Sequence, residues 1–302
     1  MSAAQISIVV PTYNEAADIA ATLDAAVSLE HPDVEVIVVD ASTDETPAIV
    51  SGYGARGVRL IRQTRGRGRA AARNEGILAA TGAIVVVLNA DVRLPADFAA
   101  RILAHYAAGA DYVLVESRVT NLDRAAPRYI QALHELEYPA RPDIEASMHW
   151  TEGFSCRREA ALAVGLFPEG RSAPLVAGED GWFGDRLRDA GYRKIFDRTI
   201  VVTHVAPERI GDFWRQRVGR GRGWPQVLRD RHGWSTGRIA GVAVKVGVRE
   251  LPALVVPVPS VWRGWRLARL SSRGRRDWLA MTALDWTDRL ARLVGLVGGI
   301  RP

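Results

Sequence analysis

Short runs of apolar residues alternate with amphipathic stretches over the first two thirds of the chain. The run at 84–88 is the clearest, because all five residues are apolar and four are β-branched, as expected of a strand buried on both faces. Similar runs predict strands at 6–11, 34–39, 58–61, 112–115 and 200–204. Helical patterns lie between them at 15–29, 70–80 and 95–108. This alternation predicts an α/β fold with a mostly parallel sheet.

Polar side chains stand directly after several of these strands. Asn89 and Asp91 follow the run at 84–88, Asp40 follows the second strand, and His204 ends the last one. In an open α/β sheet, ligands bind in the crevice at the carboxyl ends of the strands. A carboxylate there suits Mg²⁺ or Mn²⁺, which one or two carboxylates commonly hold together with substrate phosphates. The alternative interpretation of Asp91 is an ordinary turn residue.

A second acidic pair, Glu179 and Asp180, precedes the helix predicted at 183–190. Acidic residues at the start of a helix interact favourably with its dipole, which is the structural explanation. The functional explanation is a general base aimed into the crevice. The pattern by itself is compatible with both.

Composition narrows the class of protein. The 302 residues are 48% apolar and 25% charged, as in soluble globular proteins. The one cysteine, Cys156, excludes an intramolecular disulfide and fits a reducing compartment. Because the sequence shows no signal-peptide pattern and no apolar run of roughly 20 residues, we expect neither secretion nor a membrane span.

Taken in order, several motifs resemble those of family 2 glycosyltransferases with the GT-A fold. The matching stretches are 8–15, 40–46, 68–76, Asn89-Ala90-Asp91, Gly178-Glu179-Asp180 and His204. The similarity covers about residues 5–225. It implies a Rossmann-like, mostly parallel central sheet flanked by helices. It also implies inverting transfer of a sugar from a UDP- or GDP-linked donor to an acceptor hydroxyl or phosphate.

The resemblance also implies a role for each matching residue. Asp180 takes the position of the catalytic base, with Glu179 beside it to position the acceptor or the base. Asp91 takes the position that binds Mn²⁺ or Mg²⁺, and His204 is a further metal or diphosphate contact. The residues expected to bind the donor are Pro11, Tyr13, Glu15, Asp40, Arg73 and Asn89.

Two departures from the family pattern bear on activity. The usual Asp-x-Asp is Asn89-Ala90-Asp91 here, so one carboxylate is missing. The later Gln-x-x-Arg-Trp element is present only loosely, at 216–224. One arginine of this element is expected to clamp the donor diphosphate, and the candidates are Arg217, Arg220 and Arg222. Trp224 is also expected to bind the donor.

Two alternative functions follow. An inactive nucleotide-sugar-binding or scaffolding homologue would be consistent with the two departures. A sugar-1-phosphate nucleotidyltransferase should carry a Gly-rich phosphate loop directly after the first strand, where this chain has Pro11-Thr12-Tyr13-Asn14.

Residues 229–302 differ from the rest in charge. They hold 14 Lys and Arg against 5 Asp and Glu, a net of +9, whereas residues 1–228 carry −3. Apolar residues repeat at helical spacing on one face, with Asp285 and Asp288 outside it: Leu279, Ala283, Trp286, Leu290, Leu293 and Val297. Such a helix with Trp and Arg at its boundary is typical of an interfacial membrane anchor. The alternative is packing on the catalytic domain or on the second subunit of a homodimer.

We therefore predict two domains, a GT-A catalytic domain at 1–228 and a basic, Trp-rich amphipathic helical appendage at 229–302. The expected partners are the nucleotide sugar, a lipid-linked or glycan acceptor and an anionic membrane surface. No recognisable nucleic-acid module accompanies the arginines, so nucleic acid is not an expected partner. The expected location is cytoplasmic, peripheral at the inner face of the cell membrane.

Overall fold

The computed structural model of the chain describes residues 6–31, 33–63, 67–147 and 149–301. In these residues eight strands form one sheet: β1 Ile6–Thr12, β2 Val34–Asp40, β3 Val58–Arg62, β4 Ile84–Val87, β5 Val92–Arg93, β6 Tyr112–Val119, β7 Phe154–Arg157 and β8 Lys194–His204. Their order across the sheet is β3-β2-β1-β4-β7-β6-β8-β5. The α/β class predicted from the alternating pattern is confirmed.

The described residues also contain twelve α-helices: α1 Ile19–Val27, α2 Thr46–Ser51, α3 Arg69–Ala79, α4 Phe98–Ala107, α5 Ala125–Glu137, α6 Pro142–Ser147, α7 Arg158–Ala163, α8 Glu179–Asp189, α9 Ile210–His232, α10 Thr236–Val255, α11 Val258–Leu270 and α12 Trp278–Gly298. The predicted helix at 15–29 begins later, at Ile19. Residues 15–18 instead form a turn, in which the N–H of Asp18 donates to the carbonyl of Glu15 at 3.1 Å.

The two halves of the sheet differ in strand direction. Strands β1 to β4 are parallel to one another. Strand β7 is antiparallel to β4, with Val87 opposite Phe154, and β5 is antiparallel to β8, with Val92 opposite His204. The residues that precede β7 therefore lie at the same edge of the sheet as those that follow β4. A purely parallel sheet would have placed them at opposite edges.

The chain divides into two compact units. The first comprises residues 1–118, 145–169 and 179–204, and the second comprises 119–144, 170–178 and 205–302. In the first unit the central strands are buried, and Ile8, Val10 and Val86 are fully inaccessible. Helices α1 and α4 contribute Leu23 and Ile102 to the same core. This rigid sheet fixes the loops at its edge.

The second unit is helical around Tyr129, Phe213 and Met281, which belong to one apolar cluster. Helices α9 and α12 cross closely because glycines stand at their contact. A Cβ atom at Gly221 would collide with the carbonyl of Arg292, and one at Gly295 would collide with the carbonyl of Val218. Gly221, within the loose motif at 216–224, thus serves helix packing.

The predicted amphipathic helix at the end of the chain is present as α12, but the face predicted to be apolar is not the one that packs. Leu279 and Val297 are 75% and 56% exposed, while Asp285 and Asp288 are buried. Both carboxylates are balanced inside the unit, because Arg289 pairs with Asp285 and Arg292 pairs with Asp288. Apolar spacing alone cannot reveal a charged residue that is buried with a partner.

The predicted boundary between residues 228 and 229 falls inside α9. This helix continues to His232 and ends at Gly233, whose φ is 66°, as is common at helix C-termini. The change in charge along the sequence therefore does not coincide with a change in structure. In the described part of the chain, no helix has both the length and the apolar character needed to cross a bilayer.

Candidate active site

Two loops at the carboxyl ends of β1 and β2 are fastened together by Asn14. Its backbone N–H donates to Ser42 Oγ at 2.7 Å. Its side-chain Oδ1 accepts from the N–H groups of Thr43 at 2.9 Å and Asp44 at 3.3 Å. These bonds hold the loop that carries Tyr13, whose ring is 62% exposed. An exposed ring on a fixed loop can stack on the flat base of a nucleotide.

Asp40 and Pro11, both predicted to contact the donor, lie inside the sheet edge rather than on its surface. The Asp40 carboxylate is fully buried. It accepts hydrogen bonds from Thr12 Oγ1 at 2.6 Å and Ser42 Oγ at 2.5 Å, and it forms an ion pair with Arg62. In the structure Asp40 therefore fixes the shape of the loop.

Asp91 sits in a tight turn after β4, beside His204. The turn is closed by the N–H of Val92, which donates to the carbonyl of Asn89 at 3.2 Å. His204 ends β8 opposite Val92, and its charge acts on the carboxylate of Asp91, so the two side chains lie near each other. Burial raises the pKa of Asp91 to about 6, an effect that His204 opposes and Glu152 increases.

Glu15, from the loop after β1, faces the same place. Its pKa is raised to about 7, first by burial and then by the charge of Asp91. Two buried carboxylates whose pKa values stay raised, despite the opposing charges of His204 and Arg69, form a site whose negative charge is only partly balanced. A cation or a cationic group of a ligand would relieve that repulsion.

The side chains around Asp91 offer ligands that suit a divalent metal bound together with the substrate. In the described residues, no group of three or more His, Cys, Asp or Glu side chains is arranged to hold a metal. Asp91 and His204 nevertheless offer one oxygen and one nitrogen ligand. Mg²⁺ and Mn²⁺ are commonly held by so few protein groups when substrate phosphates supply the remaining ligands.

Arg73 on α3 connects the residues around it. Its guanidinium donates to Glu179 Oε1 at 2.9 Å, Asn89 Oδ1 at 3.0 Å and Thr151 Oγ1 at 2.8 Å, and it lies 5.2 Å from the ring centre of Phe167. The prediction placed Arg73 against the donor ribose or diphosphate. In the structure it is fully buried. It therefore holds the segments that carry Asn89, Thr151 and Glu179 together from inside the protein. Asn89 uses its side-chain oxygen for this contact.

Asp180 lies in the first turn of α8, next to the buried Glu179. The N–H of Gly181 donates to its Oδ1 at 2.8 Å. Burial raises the pKa of Asp180 to about 6; the charge of Glu179 adds to the shift and Arg73 opposes it. A carboxylate with this pKa is ionised at pH 7 and still accepts a proton from a hydroxyl that attacks an electrophile.

Glu152 is a site residue to which the sequence analysis assigned no role. It precedes β7, whose first residue lies opposite the last residue of β4. Its charge raises the pKa of both Asp91 and Asp180, so it lies near the two. Detecting it from sequence would have required knowing that β7 is antiparallel to β4.

We expect the substitution Glu152→Gln to shift the pH dependence of activity. Without the charge of Glu152, the pKa of Asp180 falls, so the acid limb of the rate profile should move down by about half a pH unit. Initial rates measured between pH 5 and 8 test this, with the exposed Glu30→Gln as the control. An unchanged profile would show that Glu152 does not act on the site carboxylates.

The predicted diphosphate-clamping residues are on α9 in the second unit. Arg217 is fully buried there, 4.9 Å from the ring centre of Phe213 and 3.7 Å from Asp288. Arg220 and Trp224 are exposed. Arg222 lines a cavity of about 280 Å³ together with Val176 and Trp214. The assignment of one of these arginines to the donor diphosphate stays a prediction.

A sheet that is parallel in its first half and antiparallel in its second, with acidic residues at the strand ends and at the start of a following helix, is the GT-A architecture of nucleotide-sugar glycosyltransferases. The chain belongs to glycosyl transferase family 2, whose family model matches residues 7–167. The resemblance inferred from the motifs is thereby confirmed.

Relatives and solved structures agree with this assignment. Glycosyltransferase AglE of Haloferax volcanii is 28% identical over 258 residues, which cover 82% of this chain and 81% of AglE. The succinoglycan biosynthesis protein ExoO of Rhizobium meliloti is 36% identical over 141 residues, and the match spans 46% of this chain and 40% of ExoO. This chain is similar to both proteins, and their names describe their own functions.

Two solved structures share the fold. Mannosyltransferase PcManGT from Pyrobaculum calidifontis, in complex with GDP-Man and Mn²⁺, gives a TM-score of 0.65 at 23% identity, covering 97% of this chain and 87% of the other. TarS 1–349 of S. aureus in complex with UDP-GlcNAc gives a TM-score of 0.57 at 16% identity, covering 95% and 90%. At these identities the likeness establishes the fold.

Proposed function

We propose that the chain is an inverting, metal-dependent glycosyltransferase that moves a sugar from a UDP- or GDP-linked donor to an acceptor hydroxyl or phosphate. One observation carries the proposal: the carboxylates of Asp91 and Asp180 share one edge of the sheet and both have a pKa raised to about 6. Perturbed carboxylates gathered in one cleft are typical of catalytic sites. Membership of the family and the donors bound by PcManGT and TarS support the choice of substrate.

In this proposal Asp180 is the general base. The acceptor oxygen attacks the anomeric carbon from the side opposite the diphosphate and loses its proton to Asp180. The bond from that carbon to the diphosphate oxygen breaks, and the nucleoside diphosphate leaves with the bonding electrons. Glu179, held by Arg73, positions the base. A single displacement of this kind inverts the anomeric configuration.

Asp91 and His204 would hold the Mn²⁺ or Mg²⁺ ion. When bound, the cation neutralises charge that develops on the leaving diphosphate. Tyr13, Glu15 and Asn89 are the residues of the first unit that we assign to the donor, with Pro11 and Asp40 shaping the loop beneath them. The arginine that clamps the diphosphate is assigned to α9.

We expect Asp91→Asn to weaken metal-dependent donor binding by about tenfold or more, because the substitution removes a charged metal ligand. Calorimetric titration of donor in the presence of Mn²⁺, compared with titration in EDTA, measures this effect. Asp97→Asn is a matched control, since Asp97 precedes α4 and lies outside the site. Equal affinities in Asp91→Asn and the wild type would remove Asp91 from the metal site.

We further propose that the protein acts as a peripheral protein at the cytoplasmic face of the cell membrane, on a lipid-linked or glycan acceptor. The support for this location is the basic, tryptophan-rich composition of residues 229–302. Relatives that match include the glycan-biosynthesis protein ExoO, which is consistent with a glycan product.

A donor panel tests the proposed function. Release of nucleoside diphosphate is measured for UDP- and GDP-linked sugars with Mn²⁺, Mg²⁺ or EDTA, with and without vesicles that contain polyprenyl phosphate. We expect release from one donor class, lost in EDTA and increased by the acceptor vesicles. Donor binding without release under any of these conditions would instead favour the inactive homologue, for which the replacement of an aspartate by Asn89 is the relevant observation.

A further inference from the structure

Helix α10 presents a continuous uncharged stripe on its exposed side. The stripe follows helical steps of four and three, and its members are exposed: Gly237, Gly241, Val244, Val248, Leu251 and Val255. The last of these is 78% exposed. Exposing four large aliphatic side chains in one line is unfavourable in water unless another surface covers them.

The stripe continues into the corner between α10 and α11. From Leu251 to Trp262 the sequence contains no charged residue. Val256 and Val258 are 58% and 64% exposed, and the ring of Trp262 is 60% exposed. The outward-pointing valines and tryptophan of this uncharged, proline-containing corner are not covered by the packing of the unit.

The beginning of α12 adjoins this corner. The indole N–H of Trp278 donates to the carbonyl of Val261 at 3.1 Å, and that of Trp286 donates to the carbonyl of Leu254 at 3.0 Å. Trp278 and the neighbouring Leu279 are themselves exposed. We call the exposed apolar residues of this surface the apolar ridge: Val244, Val248, Leu251, Val255, Val256, Val258, Val261, Trp262, Trp265, Trp278 and Leu279.

The helices and the connection that carry the apolar ridge also carry exposed cations, namely Lys245, Arg249, Arg266, Arg269, Arg273, Arg275 and Arg276. The guanidinium groups of Arg266 and Arg269 stand 4.9 Å and 5.0 Å from the ring centres of Trp262 and Trp265. A guanidinium that stacks on an exposed indole keeps its N–H groups available for an oxyanion.

The acidic residues of this region do not offset those cations at the surface. All five are buried or largely buried: Asp230, Glu250, Asp277, Asp285 and Asp288. Four form ion pairs with arginines inside the second unit, and Asp230 accepts a hydrogen bond from the N–H of Arg171. The excess positive charge of residues 229–302 is therefore displayed outward.

We propose that the apolar ridge inserts into the interfacial zone of an anionic lipid bilayer, with the surrounding cations on the lipid phosphates; this rests on the proposed membrane association and names the surface responsible. Aliphatic and indole side chains ringed by arginines match the boundary between acyl chains and headgroups. A second copy fits less well, because a symmetric contact would bring the cations of both copies together. A nucleic acid would offer no apolar surface to cover the exposed valines.

Vesicle co-sedimentation of the full chain tests the proposal. The vesicles are phosphatidylcholine alone or phosphatidylcholine with phosphatidylglycerol. We expect binding to the anionic vesicles that falls with salt, and a loss of about tenfold or more in the double variant Val255→Asp/Val258→Asp. Val297→Asp is the matched control: Val297 is also exposed, at 56%, but lies about 28 Å along α12 from Trp278.

A second variant keeps the test informative if the double variant unfolds. Trp262→Ala should weaken vesicle binding and remove any quenching of tryptophan fluorescence that brominated lipid produces at that position. Equal vesicle binding by the ridge variants and Val297→Asp would overturn the proposal. So would failure of the wild type to bind anionic vesicles at low salt, or a dimer in sedimentation equilibrium that the double variant dissociates.

Vesicle binding and catalysis are measured separately. Donor hydrolysis without vesicles should be the same in the double variant and the wild type. A protein that binds vesicles through the ridge but shows no activity would refute only the proposed activity. A protein that is active but does not bind vesicles would refute only the proposed membrane role of the ridge.

Discussion

Asp180→Asn is expected to lower the turnover number by about 10³-fold, because removal of a positioned general base typically costs a factor of 10² to 10⁴. Asparagine has nearly the same shape and retains an oxygen for the N–H of Gly181, so the start of α8 should be preserved. Donor affinity, measured by titration calorimetry, should change by less than about threefold. Turnover equal to that of the wild type would exclude Asp180 as the base.

The same substitution should make the protein more stable at high pH. Because the pKa of Asp180 is raised in the folded protein, the folded state holds its proton more tightly than the unfolded state does. The wild type therefore loses stability as the pH rises from about 4 through 6, and the neutral asparagine does not. We expect Asp180→Asn to raise the free energy of unfolding by about 3 kcal/mol at pH 8.

Urea unfolding at several pH values checks this effect. The difference between variant and wild type should shrink below pH 6 and vanish near pH 4, where the aspartic acid is protonated in both states. A variant that is less stable than the wild type at pH 8 would mean that Asp180 stabilises the fold as an ion. Loss of activity together with a gain in stability is the expected mark of a functional residue.

Arg73→Met is the second large effect that we expect, and it acts on the fold as well as on activity. The substitution leaves the carboxylate of Glu179, which is 3% exposed, without its main cationic partner. It also leaves Asn89 and Thr151 without a hydrogen-bond donor. Breaking a buried ion pair from one side typically costs 3–5 kcal/mol, so we expect a loss of about 4 kcal/mol in unfolding free energy.

The chain supplies a matched control on the same helix. Arg69 also approaches Glu179, at 3.6 Å, but its side chain is 57% exposed. Because solvent screens such a pair, Arg69→Met should cost less than about 1 kcal/mol. Urea denaturation of both variants measures the contrast. Similar small losses in the two would show that the buried network around Arg73 does not hold the site together.

The sequence predicted the strands and the residues that follow them. Continuous apolar runs rich in β-branched residues, such as 84–88, are typical of buried strands, and a polar residue at the end of such a run marks the edge of the sheet. Asp91 was predicted as a metal ligand for this reason, and the family resemblance added His204; the charge of His204 acts on Asp91 in the structure, while the metal role of both stays a prediction. The motif at Gly178-Glu179-Asp180 likewise marks the start of a real helix.

What the sequence did not predict depends on contacts between distant segments. The position of Glu152 follows from the antiparallel direction of β7, which no local pattern encodes. The burial of Arg73, Asp285 and Asp288 depends on partners far along the chain, so their charges suggested surface positions or ligand contacts. The apolar ridge combines three helices, so apolar spacing in α12 alone could not define it.

The anomeric configuration of the product tests the central claim most directly. With the donor found in the panel, the linkage of the transferred sugar is followed by NMR from the first turnover. A single displacement assisted by Asp180 predicts that an α-linked nucleotide sugar gives a β-linked product. An α-linked first product would mean retention, and it would contradict both the inverting mechanism and the role of Asp180 as the base.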